Sequence, residues 1–214
     1  MVRAGQRGRD WDQQIEVMEL PRAFRTTLTN VPAETPYLWI EPRYLAGSRR
    51  ALGPWRKPRV GLLWEGGDWN PERNVPFAAL RPLLDTHGVE FFSFQRGAGR
   101  ERLASSRYAK HVRDLSGDSP NVAYFAADIV NMDLLITVDT MAAHLAGALA
   151  KPVWVLLPYE ADWRWMLDRR DSPWYPTMRL FRQRIRHDWH WPVEQIGREL
   201  AAWLPSASLR YNSI

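Results

Sequence analysis

Two apolar runs joined by a helix of small residues constrain this chain more than any other feature. Leu134 to Val138 reads as a strand buried on both faces, and Val153 to Leu157 reads as a second. Between them Asp139 and Thr140 hand over to Met141-Ala142-Ala143-His144-Leu145-Ala146-Gly147-Ala148-Leu149. Strands apolar on both faces belong to covered parallel sheets, and parallel neighbours need a crossover that is usually helical. The unit is therefore βαβ, with Gly147 and the alanines letting the helix press closely on the sheet. The first amides of such a helix have no intrahelical acceptor, and its dipole favours negative charge. A phosphate-bearing ligand is expected at the backbone of Thr140, Met141 and Ala142.

The same alternation runs through most of the chain. Strands are expected at Val60 to Trp64, Val89 to Phe94, Val112 to Leu115 and Arg179 to Phe181, besides the two above. Helical stretches are expected at Pro76 to Leu84, around Glu101 to Ser106, at Val122 to Asn131 and at Thr140 to Ala150. A last helix covers about Pro192 to Leu204, where Val193, Ile196, Leu200 and Trp203 recur at helical spacing. The fold class is α/β, a Rossmann-like, doubly wound and mostly parallel sheet spanning residues 58–205. Residues 1–57 read as an amino-terminal remnant and linker. In it Ile15 to Leu20 is expected as a strand, Pro21 opens a short helical turn through Phe24, and Pro32, Pro36, Pro42 and Pro54 punctuate an extended segment. Residues 206–214 form a tail.

Composition removes several classes of function. No apolar run approaches the roughly 20 residues of a membrane span, and the polar, Arg-rich start is not a secretory signal. There is no cysteine, hence no disulfide framework, and a cytoplasmic location is expected. The 214 residues carry a net charge of +5, yet of 29 basic residues only Lys57, Lys110 and Lys151 are lysine. Arginine favours bidentate contacts with phosphate or carboxylate; biased codon usage gives the same excess. The cations are scattered, apart from Arg179, Arg182, Arg184 and Arg186, and no recognised motif accompanies them, so nucleic-acid binding is not expected. Asp10-Trp11-Asp12 has the spacing of a metal-binding pair but lacks partners, and no metal is expected.

Ligands of doubly wound sheets sit outside the carboxyl ends of the strands, which selects four loops. The first, Glu65 to Asn74, contains Gly66 and Gly67, where backbone can approach a ligand. There Arg73 either clamps a diphosphate or is a solvated arginine of an ordinary turn. In the second, Gln95 to Gly99, Gln95 is placed to hydrogen-bond a base or ribose beside Gly97, with Glu101 a turn further on. In the third, Asp139 is an N-cap candidate; a carboxylate repels phosphate, so any ligand role for it involves sugar hydroxyls. His144 lies one turn beyond Thr140 and is either a core group or a ligand contact. The fourth, Pro158 to Trp165, sets Tyr159 and Trp163 beside Asp162 and Arg164, an arrangement that suits a sugar face, a base or plain core packing. Six of the twelve tryptophans fall between Trp154 and Trp191.

With these residues in view, the chain resembles the carboxyl-terminal half of a two-domain (GT-B) glycosyltransferase. It is similar to glycosyltransferase family 9 and the heptosyltransferases, and nearest to bacterial tetratricopeptide-repeat proteins that end in such a domain. The resemblance rests on the segments from Val138 to Leu149, from Leu157 to Trp165 and from Asp171 to Gln183, with Val17 to Leu28 similar to the segment leaving that family's amino-terminal domain. It implies a nucleotide-diphospho-sugar donor and metal-independent transfer to an acceptor hydroxyl. Asp139 then meets sugar hydroxyls, Thr140, Met141 and Ala142 meet the diphosphate, and Arg73 stabilises the leaving phosphates. Gln95 and Glu101 fall near base or ribose, and Gly66, Asn74, Gly97, His144, Tyr159, Asp162 and Trp163 complete the donor site. Heptosyltransferases usually carry glycine where Met141 stands, so the identity of the donor is not inherited. The domain bearing the acceptor site and the acidic base is not in this sequence, which implies a domain inactive alone, or completed by a second chain or a homo-oligomer. The alternative is a non-catalytic nucleotide-binding or protein-interaction module that pairs through the strand at Ile15 to Leu20.

Overall fold

The computed structural model describes residues 14–117 and 121–208. The Asp10-Trp11-Asp12 pair and residues 209–214 of the tail lie outside the described residues. The chain divides into two compact units, residues 1–32 and 33–214. In the first, the expected strand at Ile15 to Leu20 is replaced by a 3-10 turn, Val17–Glu19, running into the short helix α1 (Leu20–Ala23) with Pro21 in its first turn. An isolated strand would leave its backbone groups unpaired, whereas the turn satisfies them locally, as in Glu19 N–H to the Glu16 carbonyl at 2.9 Å. No strand edge is offered there.

The second unit begins with a feature the prolines concealed. Helix α2 (Pro42–Leu52) occupies the middle of the expected linker. Pro42 opens it, since the first helical position needs no N–H donor, and Gly53, at φ 77°, ends it. Then come β1 (Arg59–Leu63), two 3-10 turns (Pro71–Arg73 and Phe77–Leu80) and the short α3 (Arg81–Leu84), β2 (Glu90–Ser93), α4 (Ala98–Ala104), β3 (Val112–Asp114) and α5 (Val122–Val130). β4 (Leu134–Val138), α6 (Met141–Ala148), β5 (Val153–Leu157), β6 (Met178–Arg182) and α7 (His190–Ser208) complete it. All six strands expected for the sheet form. The last helix runs further than expected, with Pro205 inside it; a proline so near the end disturbs little of the ladder.

The strands make one wholly parallel sheet in the order β3-β2-β1-β4-β5-β6, the doubly wound order in which direction reverses between β1 and β4. Alternate residues of each strand feed two cores. Val60, Leu62, Leu134, Ile136, Val138 and Leu156 pack with α3 and α7 residues such as Leu83, Val193 and Leu200. Leu135, Val153, Val155 and Leu157 pack on the other face with Leu52, Ile129 and the alanines of α6. Gly61 lies mid-strand because a Cβ there would fall 2.6 Å from the Phe94 ring. The crowded tryptophans divide: Trp154, Trp165 and Trp189 are core residues, while Trp163 is exposed.

Polar contacts tie α2 and the segment after it to this body. The Asn131 amide donates to Ser48 Oγ at 2.9 Å, and Arg49 Nε donates to Asn131 Oδ1 at 3.3 Å. Asp133 accepts from the Arg59 amide at 2.8 Å and from Trp55 Nε1 at 3.1 Å.

Candidate functional site

Three of the four selected loops close around one cleft of about 510 Å3 at the carboxyl ends of β1, β2 and β4. It opens where the strand order reverses, the place the topology reserves for ligands. Leu63, Phe94 and Phe125 make an apolar floor, the two rings edge to face at 5.3 Å. Thr140, Met141 and Ala142 form a wall. Helix α6 starts at Met141, so its first amides have no intrahelical acceptor. The cap differs from expectation: Thr140, extended at φ −145° and ψ 173°, is the N-cap, and no side chain caps the helix. Asp139 therefore lies one residue before the cap. Its carboxylate stands 3.9 Å from His144 Nε2.

The loops are held open by their own polar side chains. Gln95, 3% exposed, accepts from the amides of Trp64 (3.0 Å) and Glu65 (2.9 Å) through Oε1 and donates to the carbonyls of Glu65 and Arg96. It lines the cleft with its carboxamide already engaged, so it shapes the wall. Asn74 Oδ1 accepts from the Gly66 amide at 2.8 Å. Arg73 is not a solvated arginine: it is 7% exposed. It donates to the Asp139 carbonyl at 2.7 Å and the Gly67 carbonyl at 3.3 Å, with its guanidinium 4.6 Å from the Trp69 ring centroid. A Cβ at Gly66 would lie 2.6 Å from the guanidinium carbon, so a larger residue there displaces the Arg73 head group. Arg73 thus binds the first loop to the third, and it is not among the residues that line the cleft.

Of the expected site residues, Gly66, Gln95, Gly97, Thr140, Met141 and Ala142 line the cleft. Glu101 is exposed on α4, where its carbonyl accepts from Ser105. His144 belongs to a neighbouring cluster: Nδ1 is 3.1 Å from the Tyr175 hydroxyl, and the ring stacks on Trp165 at 5.1 Å. Burial holds the His144 pKa below its ordinary value, with Arg164 acting in the same direction and Asp139 and Asp162 opposing. Burial also raises the Tyr175 phenol well above its usual range. Asp162 caps the 3-10 turn Trp163–Trp165 by accepting from the Arg164 amide at 3.0 Å. Partial burial pulls its carboxyl upward, and the Arg164 hydrogen bonds and charge outweigh that and lower it. Tyr159 and Trp163 are exposed and do not line the cleft.

Sequence reasoning placed the start of α5 at Val122, where the structure has it, but assigned neither that helix start nor Glu65 to the site. Glu65 lines the cleft and pairs with Arg102 at 2.5 Å. Asn121, also in the lining, accepts from the amides of Ala123 and Tyr124 as the cap of α5. An asparagine directly before an apolar helical run was a legible signal for the cap itself. Among the described residues no group of three or more His, Asp or Glu is arranged to hold a metal ion.

With this geometry in place, solved structures supply a comparison. Escherichia coli ADP-heptose lipopolysaccharide heptosyltransferase II superposes with a TM-score of 0.59 at 18% identity, covering 85% of this chain and 56% of that one. The fold is shared. A glycosyl transferase of family 9 from Veillonella parvula superposes with a TM-score of 0.56 at 12% identity, covering 81% and 53% respectively. The chain spans little more than half the length of either. No family profile matches the sequence, and no curated protein matches it. Among the described residues no helix is long and apolar enough to cross a membrane.

Proposed function

We propose that the chain is the donor-binding, carboxyl-terminal half of a GT-B glycosyltransferase, of the kind that ends bacterial tetratricopeptide-repeat proteins. The observation that carries this reading is the start of α6 in the wall of the cleft at the sheet's reversal point. The diphosphate of a nucleotide sugar rests on the amides of Met141 and Ala142, because a helix start favours an anion. The base lies over Phe94 and Phe125, and the sugar extends toward Asp139 and His144. As the glycosidic bond breaks, charge grows on the departing diphosphate, and fixed amides meet it without reorganising. That chemistry asks for no metal. The acceptor and its base belong to a second domain or chain, because transfer requires the acceptor hydroxyl to be aligned with the anomeric carbon.

Replacing Met141 by proline tests this directly. Proline fits the first position of a helix, and Thr140 before it is already in the extended conformation such a residue needs. Met141→Pro is therefore expected to fold normally while deleting one amide donor. A hydrogen bond to a charged group contributes about 1.5–3 kcal/mol, so ADP or UDP affinity measured by calorimetry should fall roughly ten- to hundredfold. A folded variant that binds as tightly as the parent would remove the basis of the assignment, as would a parent that binds no nucleoside diphosphate.

A further inference from the structure

The opposite end of the sheet carries a second and larger concavity, of about 1090 Å3. Its walls are the segments that lead into the first three strands. Arg56 and Lys57 precede β1, His87 precedes β2, and Lys110 and His111 precede β3. Two carboxylates also line it, and both are already paired: Asp85 with Arg107 and Arg81, Glu90 with Arg59. Arg113 gives its guanidinium to the carbonyls of Ala51 and Leu52. Arg56, Lys57 and Lys110 have neither a hydrogen-bond nor an ion-pair partner among the described residues. Two of the chain's three lysines are thus gathered in one groove.

Unneutralised cations of one sign in a concave wall focus the field there and concentrate anions. Lysine serves as a compact point charge that phosphate oxygens can approach from many directions. The aromatic rings of the groove, Phe91, Phe92 and Tyr108, are buried, so it lacks the exposed stacking faces that single-stranded nucleic acid uses. Nor is it part of the donor cleft, which lies at the other ends of the same strands.

We propose that this groove is a second anion site, which takes phosphate groups between the Arg56–Lys57 bank and Lys110. The phosphate belongs either to a free phosphorylated molecule or to a lipid headgroup. Two arms separate these sources. The first titrates the full chain with inorganic pyrophosphate by calorimetry. The second sediments it with vesicles of phosphatidylglycerol and phosphatidylcholine in equal parts. The Lys57→Glu/Lys110→Glu variant is compared with Arg22→Glu/Arg25→Glu, which makes the same change of charge at exposed positions outside the groove. If the source is soluble, the parent binds pyrophosphate in the groove and the lysine variant loses one equivalent, with affinity there at least tenfold weaker. If it is a headgroup, vesicle binding falls at least tenfold in the lysine variant alone. Pyrophosphate retained at one equivalent in that variant reports the donor cleft, so a cleft that fails to bind leaves this result readable. A lysine variant within twofold of the parent in both arms overturns the proposal. So does an equal loss in the arginine control, which would mark the effect as one of net charge. Lys57→Gln/Lys110→Gln repeats the comparison should the charge reversal unfold the chain.

Discussion

Removing Arg73 should loosen two loops at once, and its cost can be worked from the contacts. The short bond to the Asp139 carbonyl, 2.7 Å, is of the charged-donor class that contributes about 1.5–3 kcal/mol. The 3.3 Å contact with Gly67 adds less. The Trp69 ring, 74% exposed, adds about 0.5 kcal/mol, the lower end for cation–π contacts in water. Against these stands a buried Nε with no hydrogen-bond partner, whose desolvation disappears with the side chain. The net is on the order of 2 kcal/mol for Arg73→Ala, a fall of about 4–8 °C in Tm for a protein of this size. Arg73→Lys, a point charge able to satisfy one carbonyl at a time, should lie between. Gly66→Ala drives a Cβ into the same guanidinium and should weaken the same tie, so the double variant should be little worse than Arg73→Ala alone. Differential scanning calorimetry, with ADP titration beside it, measures both consequences. Strictly additive losses, or an Arg73→Ala protein that melts within a degree of the parent and binds ADP equally well, would refute the bridge.

Two further outcomes follow from the His144 cluster. A Cβ at Gly147 would sit 2.4 Å from Tyr175 Cγ. Overpacking of that kind costs about 1–3 kcal/mol, which exceeds the roughly 1 kcal/mol alanine gains in a helix; Gly147→Ala should lower Tm, and a rise would show that the ring moves freely. His144 titrates lower folded than unfolded, so the unfolded chain binds more protons once pH drops below about 6.5. Stability should therefore decline from there through the depressed folded value and be fully present above the window. Urea unfolding at several pH values should show that decline flattened in His144→Gln; an unchanged profile would assign the dependence to other groups.

The elements were legible where burial is continuous and obscure where it depends on distant partners. Leu134–Val138 and Val153–Leu157 are buried at every position, so an apolar run sufficed to place them. Pro42 was misleading because a helix-opening proline and a linker proline look alike until the partner of the helix is known; that partner, α5, lies some eighty residues away. Ile15 to Leu20 is apolar at four of six positions, which suits a strand or a short helical turn equally, and no strand pairs with it among the described residues. At the site, Thr140 to Ala142 could be read from one strand–helix junction. The engagement of Gln95 and Arg73 could not, since each reaches backbone on a different loop: Gln95 at Trp64, Arg73 at Asp139.

Helix α2 sets a practical limit on how the protein can be trimmed. A gene shortened to start at the first strand would keep the whole sheet yet peel away the layer that shields Ile129 and Asn131. The Asn131 amide would lose Ser48 and Arg49 together, and a stripe of α5 would turn greasy side out. Such a fragment should aggregate, whereas one starting before Pro42 should stay dispersed.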